Sequence, residues 1–205
     1  MTIKQSQNPY GYRNLLVYKK AEELQLACSE LTHLFPKTKT LIALADQMDR
    51  SARSTKQNIT EGWKRNTTNE YYQFLGYAIA SNAELEEDCT DIWKGIYPEL
   101  MGIRGLMGER GVTPLSPAPL SLSTHSAPSP PSSPLSFSPH SPLFDIEKIP
   151  FYPLNPHLPP IVQLKLRAKE LNFLLDRLQK SLLDKMTRDH VLPAADKLKR
   201  IEDEK

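Results

Sequence analysis

The sequence predicts an all-α protein: an antiparallel up-down-up-down four-helix bundle with a long Pro/Ser-rich excursion between helices three and four. Three observations carry that expectation. Four separate stretches place apolar residues at alternating spacings of three and four, the mark of a helix with one buried stripe. Prolines gather away from most of these stretches, with 14 of the 18 between Pro114 and Pro160. No strand-like alternation competes with the helical pattern.

The first stripe is Val17, Ala21, Leu24, Cys28 and Leu31. It places helix one over about Leu15 to Leu34, with Asn14 as N-cap and Pro36 as stop. Leu41, Ala45, Met48, Ala52, Thr55 and Ile59 place helix two over about Leu41 to Glu61. Thr40 is its expected cap, and Gly62 is expected to take the left-handed conformation just past its end. Helix three opens on Thr67-Thr68-Asn69-Glu70, a capping-box pattern in which Glu70 reaches back to the cap amide. Its stripe is Tyr71, Leu75, Ala78, Asn82, Leu85, Cys89 and Ile92. Pro98 and the glycines at 95, 102, 105, 108 and 111 argue against regular helix beyond it. The fourth stripe is Leu164, Ala168, Leu171, Leu175, Leu178, Leu182 and Met186, with Pro193 as its latest end. Four helices with one stripe each bury those stripes on one another, crossing at about 20°.

The expected organisation is 1–110 for the first three helices, 111–160 for a disordered Pro/Ser-rich linker, 161–192 for the fourth helix and 193–205 for a charged tail. The linker has too little apolar surface to repay ordering. Its PxxP spacings, such as Pro114–Pro117 and Pro139–Pro142, are the type that docks aromatic grooves, though so proline-dense a stretch generates them by chance. The portion from Phe144 to Tyr152, with Ile146, Ile149 and Phe151, is expected to pack back on the bundle.

The net charge of the 205 residues is +2, and residues 1–110 balance 14 basic against 14 acidic side chains. Such a balance differs from the strongly basic domains of non-specific DNA binders. No apolar run approaches the ~18 residues of a membrane span, and the N-terminus has no leader-like apolar core. A cytoplasmic location follows, with Cys28 and Cys89 as reduced core residues. No cofactor is expected. Nucleophile elbows, phosphate loops and zinc spacings are missing. A di-iron bundle needs two Glu-x-x-His motifs, and only Glu30-Leu31-Thr32-His33 is present. The expected protein is not an enzyme.

Arg50, Arg53 and Lys56 recur at i, i+3 and i+6 as a basic ridge on helix two, which Lys64 and Arg65 extend. Such a ridge can follow a nucleic-acid backbone, RNA or DNA. Trp63, Tyr71 and Tyr72 are candidate stacking partners for unpaired bases. The competing reading is a solvated face, or subunit contacts with Glu84, Glu86, Glu87 and Asp88. In that case the protein is a protein–protein interaction module without a nucleic-acid role. Asn58 and Glu61, taken as inward-facing, form with Gly62 a structural polar motif. Asn58 is expected to bond a neighbouring helix, and Glu61 to pair with Arg50 or Arg53 across a turn or a subunit boundary. Trp63, Tyr72, Tyr77 and Trp93, off the tightest stripe, motivate self-association.

The run Tyr12-Arg13-Asn14-Leu15-Leu16-Val17-Tyr18-Lys19-Lys20-Ala21 resembles the opening of the bacterial four helix bundle protein family. That family includes proteins encoded in 23S rRNA intervening sequences and, more distantly, the accessory protein of diversity-generating retroelements. The stretch Gln47 to Gly62, with Arg50, Ser54, Asn58, Glu61 and Gly62, resembles its second-helix signature. Phe74-Leu75, Ala78, Ser81 and Glu84-Leu85 resemble its third helix. Leu171-Asn172-Phe173-Leu174-Leu175-Asp176-Arg177 is similar to the subgroup with a four-helix-bundle suffix, as is Ser54 to Ile59. Thr113 to Pro160 has no counterpart. The resemblance implies a homo-oligomer, a barrel-like pentamer with a basic surface, and a protein partner such as a reverse transcriptase.

Overall fold

The computed structural model describes residues 8–108 and 145–191. Most of the expected linker, with its PxxP spacings, and the charged tail lie outside the described residues. Regular structure among the described residues is helical. A 3-10 turn, Gly11–Asn14, precedes α1 (Leu16–Thr32), α2 (Lys39–Lys64), α3 (Thr68–Lys94), the short α4 (Arg104–Met107) and α5 (Pro160–Val191). Each of the four long helices packs on two others: α1 on α2 and α5, and α3 on α2 and α5.

The expected stripes form the core. Every residue of the α1 and α3 stripes is buried, as is every residue of the α2 stripe except the half-buried Ala45. On α5, Leu164, Ala168, Leu171 and Leu175 are buried, and burial then fades through Leu178 and Leu182. Cys28 and Cys89 are free and buried, and burial pushes both thiols up. Ile146 joins the core, with Ile149 and Phe151 packed against it. The portion after Phe144 thus returns to the helices as its apolar residues suggest.

Side-chain capping differs from helix to helix. The capping box at α3 is present: the Glu70 amide donates to Thr67 Oγ1 (3.1 Å), and the Thr67 amide donates to Glu70 Oε2 (3.2 Å). Gly95 closes α3 at a φ of 83°. At α1 and α2 the expected caps are displaced. Asn14 lies in the 3-10 turn and Leu15 takes the cap position; Thr38, not Thr40, precedes α2. Neither Leu15 nor Thr38 makes a side-chain cap bond.

Gly62 is a larger departure. It does not terminate α2, which continues to Lys64, and Gly95 and Gly108 are the positive-φ glycines of the described chain. Glycine is needed at 62 because α3 approaches there. A Cβ at Gly62 would stand 2.8 Å from Phe74 Cβ and 2.8 Å from Tyr71 Cδ2.

Polar side chains tie the helices at defined heights. Thr32 Oγ1 donates to Asp49 across α1 and α2 (3.1 Å), and Ser81 Oγ donates to Ser54 Oγ across α3 and α2 (3.1 Å). The buried Asn82 donates to the Ala168 carbonyl on α5 (2.7 Å), and Gln179 donates to the Tyr72 carbonyl (3.0 Å). Lys20 pairs with Glu170 (3.1 Å) and Arg167 with Glu23 (3.9 Å).

One tie has no periodic signature in the sequence. Lys165, 1% exposed, lies among the core residues of α5. Its Nζ donates to Thr90 Oγ1 (2.7 Å) and to the Glu147 carboxylate, with Glu86 at 3.8 Å. Lys169 donates to the Glu147 carbonyl (2.9 Å). The Lys165 ammonium holds the Glu147 carboxyl below the usual range. This cluster fastens the turn Ile146–Lys148 onto α3 and α5.

Candidate nucleic-acid interface

The five basic residues of the expected ridge lie on α2 or directly after it, but they do not all face one way. At about 100° and 1.5 Å per residue, Arg50, Arg53 and Lys64 fall within a ~60° arc over ~21 Å of helix. Lys56 is turned about 120° from Arg50 by the same geometry. Arg50, Arg53, Lys64 and Arg65 are exposed. Lys56 is half-buried and lines a groove of about 570 Å³ with Glu22, Glu23, Gln25, Leu26 and Ser29 of α1. Carboxylates therefore border Lys56, which sets it apart from the outer face.

Acids also interleave on that outer face. Asp46 pairs with Arg50, and Glu61 pairs with Arg65 at 3.9 Å. Exposed pairs of this kind hold each other weakly and exchange readily for other partners. Arg53 and Lys64 make no ion pair among the described residues. Arg65 also lies over the Phe74 ring, 4.3 Å from its centroid, and Phe74 meets the exposed Tyr77 edge-on.

The polar motif divides. Asn58 is half-buried and donates to Ser54 Oγ (3.3 Å), so it reaches α3 through the Ser54–Ser81 bond. Glu61 is exposed rather than inward, and among the described residues its ion-pair partner is Arg65, not Arg50 or Arg53. The physical reason is angular: Ile59 takes the inward position, and Glu61, two residues later, swings to the outside.

The aromatic residues expected near the ridge are mostly committed to packing. Tyr71 is buried, and Trp63 is half-buried with its ring edge-on to Tyr71 at 6.2 Å. Trp63 Nε1 donates to the Asn8 carbonyl (3.1 Å). Tyr72 is half-buried, and Trp93, 2% exposed, is a core residue rather than a candidate for subunit contact. Tyr77 remains exposed.

Sequence reasoning missed the residues ahead of α1. Tyr10 is 59% exposed, and Arg13 lies over both the Tyr10 ring (5.3 Å) and the Tyr12 ring (5.9 Å). Lys64 Nζ reaches the same Tyr12 ring at 6.0 Å. The signal was present as Tyr10-x-Tyr12-Arg13, but it precedes the first stripe and carries no period.

On the other flank, Gln47 Nε2 donates to Asp88 of α3 (3.3 Å). Burial, then Asp91 and Glu84, push the Asp88 carboxyl from 3.8 up to about 6, against the lowering effect of Gln47. The folded protein thus holds this proton more tightly than the unfolded chain. The group favours folding fully below 3.8 and loses that contribution as pH rises through about 6. Asp88→Asn is therefore expected to stabilise the protein by about 1–2 kcal/mol at pH 8 and to change little near pH 4. Thermal melts at the two pH values check this; an equal effect at both would contradict it.

Among the described residues, fold and surface together define a helical protein of four long packed helices with a basic, aromatic-edged helix end. Residues 13–93 match the family described as 23S rRNA-intervening sequence protein. The match takes in α1, α2 and nearly all of α3, including all five basic candidates, so this segment is similar to that family. No curated protein and no solved structure matches the chain. Among the described residues, no cluster of three His, Cys, Asp or Glu could hold a metal ion, and no helix is long and apolar enough to cross a membrane.

Proposed function

We propose that the protein is a non-enzymatic, self-associating helical protein that binds nucleic acid along the outer face of α2. In this reading the long helices run up-down-up-down, each antiparallel to its chain neighbour. The order of the ties supports that arrangement: Gln47, Ser51 and Ser54 meet Asp88, Glu84 and Ser81, and Tyr72, Asn82 and Thr90 meet Gln179, Ala168 and Lys165.

One observation carries the functional reading. Arg53 and Lys64 lie exposed on one face of α2 without ion pairs among the described residues, between Arg50 and Arg65, whose surface pairs are weak. Cations spaced along such a face can each contact a phosphate.

The test is the salt dependence of binding. Arg53→Ala/Lys64→Ala is expected to reduce the log–log slope on single strands by about 1.4, the release of two counterion sites. Lys56→Ala is expected to leave it nearly unchanged. Light scattering on the same samples reads assembly, and a mass of 23.3 kDa at micromolar concentration would remove self-association from the proposal.

A further inference from the structure

The aromatic and cationic groups ahead of α1 continue the α2 surface. We propose that Tyr10, Arg13 and Lys64 form a site for an unpaired nucleotide, which makes the surface prefer single-stranded nucleic acid. The proposal rests on the nucleic-acid reading of α2 and adds strand selectivity to it.

Three properties of this corner support a nucleotide as the ligand. Tyr10 is 59% exposed as a residue, while the neighbouring Tyr12 is 6% exposed and packs edge-on against Tyr18 at 5.0 Å. Tyr12 anchors the turn and Tyr10 is presented from it. The Arg13 guanidinium, 5.3 Å from the Tyr10 centroid, adds a second planar group that stacks on bases and pairs with phosphate. Neither Arg13 nor Lys64 makes an ion pair among the described residues, so both cations are available to a phosphate.

The platform is also held in place before any ligand arrives. Gly11 lies against the Trp63 ring, where a Cβ would stand 2.6 Å from Cζ2, and the Trp63 indole donates to the Asn8 carbonyl (3.1 Å). The turn is thereby fixed to the end of α2, which lowers the ordering cost of binding. Phosphate contacts alone carry little strand preference. Bases in a duplex are already stacked on one another, whereas an unpaired base offers its face to Tyr10.

The experiment uses fluorescence anisotropy with the full chain and three probes: a strand of about 12 nucleotides, its duplex, and the same strand made abasic. Tyr10→Ala is expected to weaken binding of the intact strand roughly tenfold and to leave the duplex and the abasic strand unchanged. Tyr10→Phe should bind as wild type does, and circular dichroism of each variant checks that the helices are intact. If wild type binds the strand but Tyr10→Ala binds it equally well, the nucleotide site is overturned while the α2 reading stands. If wild type binds none of the probes, both fall.

Discussion

Gly62→Val is expected to destabilise the protein by about 2–3 kcal/mol, seen as a fall of several degrees in the thermal midpoint. The cost arises where α2 and α3 come closest. An added Cβ meets Phe74 Cβ at 2.8 Å, and that atom is fixed to the α3 backbone, so relief requires the helices to part. The small gain in helix propensity on replacing glycine does not offset such overpacking. Gly76→Ala on α3 is the comparison. Its nearest neighbour is Gln179 Nε2 at 3.3 Å, the end of a flexible side chain bonded to the Tyr72 carbonyl that need give by only a few tenths of an ångström, so the change is expected to cost much less than Gly62→Val. A Gly62→Val protein as stable as wild type would show that the α2–α3 contact is looser than this.

The second large effect concerns the buried lysine, and here the two halves of one cluster should differ. Removing the carboxylates by Glu86→Gln/Glu147→Gln leaves Lys165 buried beside Thr90 without its counter-charges. The expected cost is about 3–5 kcal/mol. Lys165→Met removes the charge and fills a similar volume. The carboxylates it releases are better placed to be hydrated, with side chains 17% exposed at Glu86 and 55% at Glu147. Its expected cost is about 1 kcal/mol or less. Urea unfolding of the two variants gives the order directly. A greater loss in Lys165→Met would mean that the bonds made by the ammonium outweigh the cost of burying it.

Much of the fold was legible because burial follows a period. Each stripe residue of α1 and α3 was placed inside by spacing alone, and the capping box at Thr67 was written in four consecutive residues. What the spacing could not convey was why a residue occupies its place. Position alone suggests backbone freedom as the reason for Gly62, yet it serves the approach of Phe74 and Tyr71, residues of the next helix. Lys165 belongs to a buried face although its residue type argues against it, because its partners Thr90 and Glu147 are 75 and 18 residues away in the chain.

The candidate site was legible in part for the same reason. Arg50, Arg53 and Lys64 share a face that helix geometry fixes. That Lys56 turns toward Glu22 and Glu23 depends on how α1 packs beside α2, and that Glu61 answers Arg65 depends on where α2 ends. The Tyr12 ring comes within 6.0 Å of Lys64 Nζ only because the 3-10 turn folds onto Trp63. No periodic pattern in the sequence encodes such a contact.

Binding of a labelled single strand across a salt series, wild type beside Arg53→Ala/Lys64→Ala, tests the nucleic-acid role most directly. The expected result is measurable binding by wild type that weakens linearly in log–log form, with the double variant weaker at low salt and its slope smaller by about 1.4. Identical slopes for the two proteins, or no binding by wild type at low salt, would contradict it.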